Sequence, residues 1–206
     1  MKQLIFGFII FGAITFTACN GNENKAGNDV TSEMKEDSAK QYSPKDEKNV
    51  AEITPTFTNV DAKTTVYIKN IVDHYLHIKN ALASDNESEA SSGAMTLSES
   101  VAKVDKSYFT PEQKSVYDKN EEGLKEHAAL ISKSKIGIQR EHFSMLSEDV
   151  YSLVKGFGGG RTLYHDHCPM ANNNKGAKWI SELAQIKNPY MGSKMPTCGT
   201  VEEKIK

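Results

Sequence analysis

Four stretches of this 206-residue chain repeat apolar side chains at steps of three and four. The first carries Ile68, Ile71, Tyr75, Ile78 and Leu82, and the second Ala90, Ala94, Leu97, Val101 and Val104. Tyr117, Leu124, Ala128 and Ile131 mark the third; Phe143, Leu146, Val150, Leu153 and Phe157 mark the fourth. That period places each set on one face of an α-helix, and such a face must be buried against a neighbour. The spacing predicts helices over about 61–83, 87–106, 111–133 and 138–157. Their connections are short enough for up-down neighbours, so the expected fold is mainly α: an antiparallel four-helix bundle with a small C-terminal strand and loop cap.

Start and stop signals support these limits. Ser84-Asp85-Asn86 offers capping oxygens to the second helix. Thr110-Pro111-Glu112-Gln113 is a capping box with proline at the first helical position. Gly156 and Gly158 to Gly160 close the fourth helix. The second helix has the smallest apolar face and contains Gly93, which costs about 1 kcal/mol relative to Ala.

Ahead of the helices the sequence reads differently. Lys2 precedes an almost unbroken apolar run, Leu4 to Phe16, that ends in Phe16-Thr17-Ala18-Cys19. This pattern reads as a signal peptide over 1–18, and a cysteine after two small residues resembles a lipobox. Cys19 is then the lipidation site, and the mature chain is lipid-anchored in the cell envelope, on the periplasmic side and at the outer membrane. Residues 19–57 hold few large apolar side chains and many Asn, Lys, Glu, Asp and Ser, which predicts a disordered tether. Residues 58–206 form the folded domain. Basic and acidic side chains balance there, which argues against nucleic acid as a partner and leaves the lipid anchor as the contact with membrane.

Past the glycines the composition changes again. Thr162-Leu163-Tyr164 has strand character; His165-Asp166-His167-Cys168-Pro169-Met170 follows, then an Asn-rich turn and the chain's single Trp, Trp179. One or two short strands are expected. HCPMANNNKGAKWISE and IKNPYMGSKMPTCGTVEE resemble the family known as domain of unknown function 3347, as does the helical VYIKNIVDHYLHIKNALASDN. The motifs are Cys168 to Ala171, Gly176 to Trp179, Asn188 to Gly192 and Met195 to Gly199, and the resemblance runs from about residue 61 to the end. It implies a link to the periplasmic adaptor subunits of copper- and silver-type efflux systems, to which related domains are attached. Pro196 departs from the leucine expected there.

The expected function is binding of a soft metal ion, Cu(I) first, in connection with heavy-metal efflux or homeostasis, and the residues leave one alternative beside it. Thiolate, thioether and imidazole ligands select Cu(I) over hard cations. Cys168, Cys198 and Met195 are the first candidates, Met170 and His167 the next, and zinc on both cysteines with histidine is an alternative. Strand alternation would send Cys168 and Met170 one way and His165 and His167 the other, so one site would not use them all. The alternative is that the two cysteines, outside the cytoplasm, pair: a Cys168–Cys198 disulfide would make the methionines core filler in a protein-interaction module. His74 and His77, and likewise His142 and Met145, stand three apart on helices and read as boundary residues. An enzyme is not expected. His167 and Cys168 are adjacent and diverge on a strand, Cys-x-x-Cys is absent from the sequence, and Gly158 to Gly160 lack the Lys-Ser/Thr of a phosphate loop.

Overall fold

The computed structural model describes residues 50–206, which lie in one compact unit. The signal segment, Cys19 and most of the expected tether fall outside the described residues.

Four long helices carry the apolar stripes: α1 (Ala62–Ala83), α2 (Glu87–Ala102), α3 (Pro111–Lys133) and α4 (Ile136–Phe157). Consecutive helices pack on one another, and α1 also meets α4. The spaced residues of α1 and α3 are buried, as are those of α2 as far as Val101 and those of α4 as far as Leu153. Asn86 accepts the Glu89 N–H at the start of α2, and the Thr110–Gln113 capping box opens α3. α2 ends at Ala102 rather than 106, because Asp105 caps a separate short 3-10 turn, Lys106–Tyr108. Its small face has a purpose in packing. Ala90 and Ala94 are fully buried, and a Cβ at Gly93 would lie 3.0 Å from Cγ1 of Ile78, so small residues let α2 approach α1 closely.

The cap is larger than the expected one or two strands. β1 (Ala51–Ile53), β2 (Leu163–Cys168), β3 (Ala177–Ser181) and β4 (Thr200–Ile205) form a mixed sheet in the order β1-β4-β2-β3. β1 runs parallel to β4, and the other neighbours are antiparallel. β1 corrects the expected limit of the tether, since residues 51–57 belong to the fold. The Thr56 and Phe57 N–H groups donate to the Lys155 and Gly156 carbonyls at 2.9 and 2.8 Å. The Phe57 ring packs 5.0 Å from that of Phe157. Ile53 and Phe57 are the large apolar residues of 51–57; Ile53 packs against the core and Phe57 against Phe157.

Sheet and helices are joined through Tyr75. Its ring is fully buried and stacked 5.0 Å from Phe143. Its hydroxyl meets Ser147 Oγ at 2.8 Å and accepts the Ile180 N–H at 3.0 Å. β3 is an edge strand, and this contact satisfies an outward N–H that no other strand reaches. Tyr75→Phe keeps the ring and leaves that N–H unpaired, at an expected cost of about 1–3 kcal/mol. Urea unfolding checks this; an unchanged midpoint would show that the edge N–H finds another partner.

Candidate functional site

The C-terminal motifs converge on one packed knot between sheet and helices. Cys168 ends β2 and is fully buried; Cys198 precedes β4 and is half-buried. No bond joins them in the structure, and their Sγ atoms lie 2.7 Å apart. Burial pushes the Cys198 thiol up to about 11, and the Cys168 thiol beside it adds to the rise, while the Met170 backbone N–H opposes it.

The loop that presents Cys198 is fixed by Asn188. Its Nδ2 donates to the Cys198 carbonyl at 2.6 Å, and its Oδ1 accepts the Tyr190 and Met191 N–H groups at 2.8 and 3.0 Å. The Tyr190 hydroxyl donates to the Lys178 carbonyl at 2.6 Å, and its ring meets Trp179 edge-on at 5.9 Å. Gly199 has φ +141°, and a Cβ there would press to 2.9 Å on the His167 carbonyl and on Trp179. The outer side of the loop is latched to the helices. Arg140 donates from Nη2 to Asp85 Oδ1 at 2.6 Å and from Nε to the Pro189 carbonyl at 2.8 Å, while the Ser193 N–H donates to Asp85 Oδ2 at 2.9 Å. Ser193 and Arg140 hold the Asp85 carboxyl well below the usual carboxylate range. Gly192, at φ +54°, sits against this latch with no room for a side chain.

The five proposed metal ligands are only partly brought together. Met195 caps the 3-10 turn Gly192–Lys194, and its carbonyl accepts the Cys198 N–H at 3.2 Å. Met170 lies beyond the strand, is 45% exposed, and lines an open cleft of 390 Å³ with Tyr190, Met191 and Arg140. His167 faces away from the thiols: its Nδ1 is 3.2 Å from Glu202 Oε1. His165 is buried, stacked 3.8 Å from Tyr151, with Nδ1 3.4 Å from Glu203 Oε2. Among the described residues no three His, Cys, Asp or Glu side chains stand together as a metal-holding group. His77 is tied to Glu89 instead, at 2.9 Å.

Two buried charges escaped the sequence reading. Lys79 is fully buried and donates to Glu182 Oε2 at 2.9 Å. Asp166 is fully buried, and neither of its oxygens has a hydrogen-bond partner among the described residues. Burial raises its carboxyl well above the usual range; the Lys79 ammonium and the Trp179 indole N–H oppose the shift without closing a hydrogen bond. Alternation along β2 could have shown Asp166 on the Cys168 face, but the burial of that face was not readable.

Residues 71–162 match the model of the family described as Protein of unknown function (DUF3347). This is the family that the sequence resembles, but the matched segment is narrower than the resemblance: it covers the helices and stops before Cys168. No curated protein and no solved structure matches the chain.

Proposed function

We propose that this chain is a lipid-anchored binding module of the cell envelope, without catalytic chemistry, in which Cys168 and Cys198 close as a structural disulfide. The observation that carries the proposal is the 2.7 Å contact of the two thiols at the joint of loop and sheet. An envelope oxidant of the disulfide or dioxygen class would take their two protons and two electrons. The motif residues around the pair are occupied with packing and hydrogen bonds, which favours docking over chemistry. In this reading the scaffold is an antiparallel four-helix bundle, supported by short helix connections and the α1–α4 contact. The anchor at Cys19, the periplasmic side and the outer membrane rest on the sequence of residues 1–19.

A second reading keeps the same pair as a soft-metal seat. It takes Cu(I) first and zinc second, in partnership with a heavy-metal efflux adaptor. Its favouring observation is that the two sulfurs lie unbonded side by side with Met195 in the adjoining turn. Against it, metal–sulfur bonds of about 2.3 Å hold two ligating sulfurs about 3.7 Å or more apart, so the pair must open by about 1 Å. Met170 and His167 also point elsewhere.

Titrating the protein as isolated, anaerobically and without added reductant, with Cu(I) against a weak chelator separates the two readings. The disulfide module leaves the metal with the chelator. Retention of one Cu(I) per chain, weakened by Cys168→Ser and by Met195→Leu, would establish the metal seat instead.

A further inference from the structure

The α3–α4 contact carries a feature unrelated to the cysteine knot. His127 of α3 and His142 of α4 face each other, with ring centroids 5.6 Å apart and ring planes 26° from parallel. Both residues are half-buried. The Nδ1 atom of each ring is fully buried, and neither has a hydrogen-bond partner among the described residues. Two unpartnered ring nitrogens at one helix contact call for an explanation, because buried polar atoms in folded proteins are nearly always satisfied by protein, water or an ion.

We propose that His127 and His142 form a seat for an imidazole-preferring transition-metal cation, with the Met145 thioether as third donor. The separation of the rings fits. A metal–nitrogen bond of about 2.0–2.1 Å, plus about 1.1 Å from nitrogen to ring centre, puts two imidazoles on one ion about 5–6.5 Å apart between tetrahedral and linear geometry. The observed 5.6 Å lies inside that interval, and the near-parallel rings must turn about their side-chain torsions to aim one nitrogen each at a shared ion. Met145 is three residues beyond His142 and thus on the same side of α4; it is 44% exposed, and its thioether must turn inward to ligate.

The donor chemistry selects the class of ion. Neutral imidazoles suit zinc, copper and nickel, and a thioether favours the softer members, while hard oxygen-seeking cations find no carboxylate pair. Asp149 does not supply one: it follows His142 by seven residues, about 10 Å along the helix, and packs against Gly123. With two strong donors and one weak one, coordination positions stay open, which suits an ion that is exchanged.

Calorimetric titration of the chain with Zn(II), and separately with Ag(I) as a soft probe, tests the site. One ion per chain is expected. Binding should survive in the Cys168→Ser/Cys198→Ser double variant and weaken at least about ten-fold in His127→Ala and in His142→Ala. Met145→Leu should weaken Ag(I) and spare Zn(II). In the unmodified chain, the ring resonances of His127 and His142 should shift first on adding Zn(II), a readout that needs no variant to fold. Absence of binding, unchanged affinity in both histidine variants, or two unmoved rings would overturn the proposal.

Discussion

Reducing the purified protein lowers its unfolding midpoint by about 10 °C, if Cys168 and Cys198 are joined as proposed. The two residues are 30 apart in sequence, and closing such a loop removes about 3–4 kcal/mol of chain entropy from the unfolded state. A domain of this size shifts by roughly 2–4 °C per kcal/mol. The loop in question already has its own fastenings at Asn188 and at the Asp85–Arg140 latch, so the folded cap should keep its shape after reduction. The cost therefore falls on the unfolded chain. Thermal scans with and without reductant measure it, using the Cys168→Ser/Cys198→Ser variant as control. Equal midpoints in both conditions for the unmodified chain would sink the claim that this bond stabilises the fold.

Asp166→Asn should make the protein more stable at neutral pH, although it removes an acidic group from the middle of the fold. The carboxyl is fully buried with neither oxygen hydrogen-bonded, and burial raises its proton affinity well above the usual. The sign follows from linkage. A group whose folded pKa is raised contributes stability that is fully present below its unfolded value, about 3.9. That contribution is lost as pH rises toward the folded pKa, at up to about 1.4 kcal/mol per pH unit. Asparagine holds no such proton, so the variant lacks this slope. The difference between variant and parent should be small near pH 4 and grow steadily as pH rises from there. Urea unfolding at several pH values reads it directly, and parallel slopes in the two proteins would show that Asp166 is solvated or paired in solution.

The helices were legible because their signal is local. A period of three and four, a capping box at Thr110 and a glycine after Phe157 each act within a few residues. The sheet was less legible because its strands are short and distant. β1 is three residues within a charged stretch, and it pairs with β4 from the far end of the chain. β4 reads TVEEKI, with only Val201 and Ile205 to mark it as a strand. The opposed directions of His167 and Cys168 follow from strand alternation; the turn after Cys168 carries Met170 off to the exposed cleft, which alternation alone does not predict. The Cys168–Cys198 pairing was readable as a pairing of types, whereas the Asn188 clamp and the Asp85–Arg140 latch depend on the tertiary path. The His127–His142 contact depends on the register between α3 and α4, which neither helix encodes by itself.

The central claim concerns the state of two sulfurs. The protein should be recovered from cells without reductant, alkylated while unfolded, digested and weighed. A single mass containing the Cys168 peptide joined to the Cys198 peptide is the predicted result, and alkylated Cys168 and Cys198 on separate peptides would contradict it.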